Sequence, residues 1–114
     1  MPEPCRGEVW IVDLGYVAKV RPCLVLSVAL QDTDRKLVAC VEHTTSKYGS
    51  RFEVAVETNF LKSSGVFNAQ GIVTVPVVKL QRKIGQLDAE QLGRVEEAIK
   101  RWLGLSSTQE NKPA

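Results

Sequence analysis

The chain has 114 residues, of which 44% are hydrophobic and 25% charged, and its formal net charge is +2. This length allows one hydrophobic core, and neither a run of roughly 20 apolar residues nor a secretory signal is present, so we expect a cytoplasmic protein without a membrane partner. The small net charge excludes a protein that holds nucleic acid by bulk charge, and any such binding needs a local cationic patch.

The first two thirds of the sequence alternate between segments rich in Val, Leu and Ile and segments of turn-forming residues. Strands are predicted at Val9–Val12, Cys23–Val28, Leu37–Val41, Phe52–Val56, Gly71–Val75 and Lys83–Leu87. Pro76 predicts either the end of its strand or a position at a sheet edge. Several short strands with no helix between them predict an antiparallel sheet that curls or closes into a small barrel.

The C-terminal segment changes to a helical period. Asp88 is a good N-cap residue, and Gln91 three positions later completes a capping box. Gly104 is a plausible end of the helix. Apolar residues recur at spacings of three and four, which predicts one buried stripe formed by Leu92, Val95, Ile99 and Trp102.

These elements predict an α+β fold that is mostly β, with one C-terminal helix. Residues 1–105 are expected to form a single domain. The last nine residues, 106–114, contain too little apolar surface to fold and are predicted to be a disordered tail.

Conventional catalytic parts are scarce. The sequence has no phosphate-binding glycine loop and no nucleophile elbow. One histidine, His43, allows no pair of histidines as acid and base, and it lacks neighbouring ligands for a metal, so no metal site and no cofactor are predicted. Of the three cysteines, Cys23 and Cys40 lie in apolar runs and are expected to be small buried hydrophobic residues, whereas Cys5 is near the terminus.

Two local clusters remain, each at the end of a predicted strand. The first is Lys19-Val20-Arg21-Pro22, and the second runs from Glu42 to Lys47. An arginine fork matches phosphate oxygens, and a threonine hydroxyl can donate to a phosphoryl oxygen without adding charge. Together they could stabilise the charge that develops when a ribose 2′-hydroxyl attacks its own phosphodiester. A surface arginine and a turn-forming threonine pair are the alternative interpretation.

The order of segments resembles the MazF/PemK family of toxin endoribonucleases over about residues 6–105. The matching segments are RGEVWIVDL, VRPCLVLS, the TT step leading to RFEV, a GV...AQGI stretch, and KIGQLD followed by a helix ending in LGL. The RP step with its apolar strand and the TT step are the most specific of these.

The resemblance implies an SH3-like antiparallel barrel with a C-terminal helix, and a homodimer. It implies metal-independent, sequence-selective cleavage of single-stranded RNA to 2′,3′-cyclic phosphate and 5′-hydroxyl ends. It also implies neutralisation by an antitoxin with an acidic disordered tail. The catalytic pair of the family falls on Arg21 and Thr44, with Thr45 as the fallback if the register is shifted by one. The other residues expected to contact RNA are Lys19, His43, Thr45, Lys47 and Gln70.

Two departures from the family pattern bear on selectivity. The loop of residues 15–19 lacks the longer glycine- and Glu-Gln-bearing segment common in the family, and Ala69 replaces an acidic residue before the groove glutamine. Neither change removes the proposed catalytic pair. Both concern how the RNA sequence is chosen.

Two other functions are compatible with the same fold. A CcdB-like toxin that binds gyrase would act through the C-terminal end of the helix near Trp102 and would not depend on Arg21. A noncatalytic barrel that binds RNA or a protein would be favoured by a row of exposed aromatic residues. The sequence shows no such row, and the RP and TT steps favour the ribonuclease.

Overall fold

The computed structural model of the protein describes residues 3–15 and 19–105. The strands are β1 (Glu8–Asp13), β2 (Val20–Val25), β3 (Leu37–Thr44), β4 (Glu53–Val54), β5 (Val66–Asn68), β6 (Val73–Pro76) and β7 (Leu80–Gln86), and one helix, α1 (Ala89–Leu103), follows. Short 3-10 turns at Ala69–Gly71 and Val77–Lys79 connect β5 to β6 and β6 to β7. The predicted tail, 106–114, and the middle of the first loop, 16–18, lie outside the described residues.

All seven strands belong to one antiparallel sheet, whose main path runs β4-β5-β3-β2-β1-β7. Strand β3 pairs with β2 on one side, and on the other side it pairs first with β6 and then, at His43 and Thr44, with β5. The mostly-β α+β class with a C-terminal helix is therefore confirmed. Closure into a barrel is not found among the described residues, because β4, of two residues, pairs with β5 alone and does not reach β7.

The sheet buries both of its faces, as the continuously apolar strands predict. On the helix side, a cluster that includes Val9, Leu24, Val41 and Phe67 packs against Val95 of α1. We call this the helix-side core. On the opposite face, a second cluster forms the far-side core, which includes Val12, Cys23, Val25, Val38 and Cys40. Successive residues of β2 and β3 therefore point to different cores.

The ends of α1 match the sequence prediction closely. Asp88 accepts a hydrogen bond from the backbone N–H of Gln91, and the Gln91 side chain accepts one from the Asp88 N–H, which completes the capping box. Gly104 ends the helix in the left-handed conformation, at φ 70°. Within the described part of the chain, no helix is long and apolar enough to cross a membrane.

One member of the predicted apolar stripe does not enter the core. Trp102 is 43% exposed, and its ring meets the ring of Phe52 edge-on at 5.4 Å between centroids. The expectation that Trp102 is a core residue is therefore wrong. It lies in the last turn of α1, at the edge of the helix-side core, beside Phe52 and the short strand β4.

Two glycines leave room for the segment that follows β4 to pack closely against the sheet. A Cβ atom at Gly85 of β7 would lie 2.4 Å from the ring of Phe60, and one at Gly65 would lie 2.2 Å from the ring of His43. Both aromatic rings thus occupy space that only glycine leaves open. The contacts fix the position of residues 60–65 relative to β3 and β7.

We expect Gly85→Ala to lower the free energy of unfolding by about 1–3 kcal/mol, because the added methyl group overpacks the Phe60 contact. Gly93→Ala is the matched control, since a Cβ atom at Gly93 in α1 meets nothing within 4 Å. That change should raise stability by about 0.5–1 kcal/mol through helix propensity. Urea unfolding of both variants measures the difference, and equal stabilities would contradict the packing argument.

Candidate functional site

The proposed catalytic pair lies at the ends of two neighbouring strands. In the ladder between β2 and β3, Cys23 is opposite Glu42 and Leu24 is opposite Val41. The same register, continued by two residues, brings Arg21 level with Thr44. Because side chains alternate along a strand, Arg21, Glu42 and Thr44 all lie on the face of the far-side core, at its rim.

Arg21 is held by an ion pair with its diagonal neighbour. Its Nε atom lies 3.1 Å from Oε2 of Glu42, and the two side chains are 40% and 29% exposed. A guanidinium group has five N–H donors, so a contact through Nε leaves the two terminal nitrogens able to bind a phosphate. The ion pair therefore orients the arginine without using up its capacity for an anion.

A cavity of about 680 Å³ opens beside Arg21, on the face opposite Glu42. Among the described residues, its lining includes four cations and no acidic side chain, and we call it the cationic groove. The cations are Arg21, Lys62, Arg82 and Lys83. Its floor is partly apolar and includes Pro22 and Phe60. The Nζ atom of Lys83 lies 3.1 Å from a carboxylate oxygen of Glu8, which offsets one of the four positive charges. The net charge of the groove is still positive.

A second cavity, of about 490 Å³, lies on the other side of the strand ends. We call it the hydroxyl-lined cavity, because four side chains with hydroxyl groups line it together with acids and amides; the hydroxyl residues are Thr44, Ser46, Tyr48 and Ser50. Glu42 and Gln70 also contribute to it. This cavity offers hydrogen-bonding groups where the cationic groove offers charge.

One carboxylate fixes the wall of the hydroxyl-lined cavity. Glu53 accepts hydrogen bonds from the backbone N–H groups of Tyr48, Gly49 and Ser50. The Tyr48 N–H in particular holds the pKa of Glu53 below its usual value, because it stabilises the charged form. Residues 48–50 are therefore tied to β4.

The structure divides the predicted site residues into three groups. Arg21, His43 and Thr45 line the cationic groove, whereas Thr44 and Gln70 line the hydroxyl-lined cavity. Lys19 and Lys47 are exposed and line neither cavity. Lys19 follows the first loop with a positive φ of 64°, an uncommon conformation for a lysine.

His43 is almost completely enclosed. It is 4% exposed, its ring meets that of Phe67 at 4.9 Å between centroids, and its Nε2 atom has no hydrogen-bond partner among the described residues. Burial lowers the pKa of His43, because the charged imidazolium loses hydration there. His43 is therefore neutral at pH 7 and adds no charge to the groove.

Other reactive groups in the described residues offer little chemistry. Cys23 and Cys40 are buried, as predicted, and Cys5 is exposed. A hydrogen bond with Cys40, together with burial, raises the pKa of the Cys23 thiol, so Cys23 is not a nucleophile. No group of three His, Cys, Asp or Glu side chains able to hold a metal ion is found in residues 3–15 and 19–105.

Sequence reasoning overlooked several members of the site. Lys62 and Phe60 come from an irregular segment that no motif marks, and the ion pair of Glu42 with Arg21 joins two separate sequence clusters. The alternation of side chains along β3 was the signal that could have identified Glu42, because Glu42 lies on the same face of the strand as Thr44, two residues later.

Comparison with protein families gives one match over most of the chain. The profile of the family described as "PemK-like, MazF-like toxin of type II toxin-antitoxin system" matches residues 5–103.

Solved structures of the same fold cover nearly the whole chain. An endoribonuclease in complex with its cognate antitoxin, from a mycobacterial species, is 27% identical, has a TM-score of 0.79, and aligns over 92% of this chain and 99% of its own. The Mycobacterium tuberculosis toxin MazF-mt6 is 30% identical over 87% of this chain and 98% of its own, with a TM-score of 0.72. A MazE-MazF structure from Deinococcus radiodurans, at 23% identity, covers 93% of this chain and 100% of its own, with a TM-score of 0.77, and shows likeness of fold.

We expect His43, the one histidine in the chain, to titrate with a midpoint below 6.5. Since its pKa is lower in the folded state, the unfolded chain takes up the proton more readily, and stability should fall as the pH drops through about 6.5. Its single pair of imidazole NMR resonances gives the midpoint directly. A midpoint at or above 6.5 would show that the ring is not desolvated as described.

Proposed function

The chain belongs to the PemK-like, MazF-like family of toxins of type II toxin–antitoxin systems, and on this basis we propose that it is an endoribonuclease that cleaves single-stranded RNA. Two of its structural relatives, at 27% and 26% identity, are described as endoribonucleases. The same activity in this chain requires a group that stabilises a phosphorane, a nearby hydrogen-bond donor and a path for the RNA.

The proposal rests mainly on Arg21. Its guanidinium lies at the end of β2 between the cationic groove and the rim of the far-side core, with Nε turned to Glu42. Its terminal nitrogens are the natural partners of a phosphodiester that crosses the strand ends. Thr44, level with it in the neighbouring strand, supplies a hydroxyl group for a non-bridging oxygen.

The proposed reaction uses the nucleophile that RNA carries. The 2′-hydroxyl attacks the adjacent phosphorus, the bond to the 5′-oxygen breaks, and the products are a 2′,3′-cyclic phosphate and a 5′-hydroxyl end. Arg21 stabilises the charge of the pentacoordinate phosphate, which is the largest electrostatic demand of such a step. Because neither an activated water nor a covalent intermediate is needed, the proposed reaction proceeds without a metal.

The two cavities suggest how the RNA strand is held on either side of the cleaved bond. Lys62, Arg82 and Lys83 in the cationic groove are suited to phosphates, and its partly apolar floor is suited to a base. Gln70 in the hydroxyl-lined cavity can contact a base edge. Lys19 and Lys47, exposed nearby on the chain, would add weaker contacts to the RNA backbone.

We further propose that a cognate antitoxin inhibits the protein by placing an acidic disordered tail in the cationic groove. Among the described residues, the lining of that groove has four cations and no acid, with Arg21 and Lys83 paired to Glu42 and Glu8 outside the lining, and this supports an acidic occupant. One relative is described as an endoribonuclease in complex with its cognate antitoxin. A homodimer in the cytoplasm is part of the same proposal.

A gyrase-binding toxin is the second candidate, and Trp102 is the feature that favours it. Its indole is 43% exposed near the end of α1, together with Leu103 and Leu105. Such an apolar surface can bind another protein. This candidate predicts that Arg21 is dispensable, whereas the ribonuclease requires it.

We expect the purified protein to cut a long single-stranded RNA in the presence of EDTA at discrete sites that end in cyclic phosphate. Arg21→Ala should reduce the rate by about 10²–10³-fold, the usual cost of removing one oxyanion donor. Mapping of the cut ends by sequencing, with phosphatase and kinase treatment, identifies their chemistry.

Arg35→Ala, in the exposed loop before β3, is the control for loss of one arginine charge and should retain full activity. Full activity of a folded Arg21→Ala protein would refute the assignment of this site. Absence of cleavage by the folded wild-type protein, freed of antitoxin, would refute the ribonuclease and lead to a gyrase inhibition assay.

Substitution of the two adjacent threonines tests the register of the catalytic pair. Thr44→Ala should slow cleavage by about 10²-fold, because it removes the hydroxyl level with Arg21. Thr45→Ala should change cleavage less, since Thr45 points into the cationic groove. Single-turnover rates on one mapped cleavage site compare the two, and a larger loss for Thr45→Ala would place the catalytic hydroxyl at Thr45.

A further inference from the structure

The proposed reaction needs a group that removes the proton of the 2′-hydroxyl, and neither Arg21 nor Thr44 supplies one. Arginine holds its protons too strongly to act as a base at neutral pH. The hydroxyl of Thr44 is no better as a proton acceptor. Burial favours the neutral form of His43, but its Nε2 atom is buried and its ring packs against Phe67.

From the contact between Arg21 and Glu42, we infer that Glu42 is the general base of the reaction; this inference rests on the proposed ribonuclease function. The Glu42 carboxylate is 29% exposed, lines the hydroxyl-lined cavity and lies 3.1 Å from the Arg21 guanidinium. It also shares a strand face with Thr44, two residues away. A phosphate bound by Arg21 and Thr44 would therefore bring its ribose next to this carboxylate.

The proton transfers balance without any other reactant. The 2′-hydroxyl gives its proton to the Glu42 carboxylate as the bond from O2′ to phosphorus forms. The bond from phosphorus to O5′ breaks, and O5′ takes a proton from water. The protonated Glu42 then releases its proton to solvent. This restores the carboxylate and neutralises the hydroxide left by the water that protonated O5′.

The surroundings of Glu42 distinguish it from the other carboxylate in the same cavity. Its titratable neighbours are Arg21 and Cys23 on β2 and, as fellow lining residues of the cavity, Tyr48 and Glu53. Glu53 accepts hydrogen bonds from three backbone N–H groups, and these bonds fix the wall of the cavity. Glu42 has one ion pair with the residue that binds the phosphate, so it is the carboxylate placed to receive a proton.

Glu42→Gln tests the inference, because the amide keeps the shape of the side chain and cannot accept the proton. Single-turnover cleavage at a mapped site should fall by about 10²–10⁴-fold, the usual contribution of general base catalysis. Binding of the same RNA carrying 2′-deoxyribose at that site should stay within about threefold of wild type. The wild-type rate should also fall toward low pH, and Glu42→Gln should lose this dependence.

A substrate with a 5′-bridging sulfur at the mapped site separates a base from an acid, since the thiolate leaves without a proton. The defect of Glu42→Gln should persist on this substrate. Glu97→Gln, on α1 across the sheet, is the control for loss of one negative charge and should act like wild type. Thermal unfolding shows whether each variant is folded, and Glu42→Asp, with the carboxylate retained, should recover part of the rate if Glu42→Gln is unstable.

Each remaining outcome overturns the inference. Undiminished cleavage by Glu42→Gln, or a loss that appears entirely in binding, shows that Glu42 is not the base while the ribonuclease proposal stands. Rescue by the sulfur leaving group makes Glu42 an acid instead. Loss of the low-pH dependence in His43→Gln, with Glu42→Gln unaffected, assigns the base to His43. Failure of the wild-type protein to cleave any RNA overturns both proposals together.

Discussion

The whole arrangement depends on the position of β3 between two hydrophobic cores. Its alternating side chains enter the helix-side core at Val41 and the far-side core at Val38 and Cys40. A slip of one residue would exchange the two sets and expose apolar surface, so the register of β3 against β2 is strongly determined. That register places Glu42 beside Arg21, and the proposed chemistry therefore follows from a packing constraint in the middle of the sheet.

Much of the fold follows from local patterns. The helix was predictable to its caps, because Asp88, Gln91 and Gly104 act through contacts within a few residues along the chain. The core strands were predictable in kind but not in length: β2 begins three residues earlier than its apolar run, at Val20. Strand β5 escaped prediction, since its three residues are stabilised by the tertiary contact of Phe67 with His43.

The candidate site was predictable only in part, for the same physical reason. Arg21 and Thr44 were identified from their motifs and from the family resemblance. Lys62 and the wall around Phe60 were not, because glycines at positions 65 and 85 position that segment through contacts distant in sequence. The predicted closure of the barrel is not found, because the β-propensity of the residues around β4 does not show that only two of them form a strand. Trp102 failed because a helical stripe does not show where the core ends.

The walls of the two cavities have a consequence for the evolution of the protein. Arg21, Glu42 and Thr44 stand on strands fixed by both cores, whereas Lys62 and Ser46–Ser50 belong to connecting segments outside the strands. Substitutions in such segments are tolerated far more readily than changes in a packed sheet. Under the proposed ribonuclease function, the RNA sequence that is selected can therefore diverge in evolution while Arg21, Glu42 and Thr44 are retained.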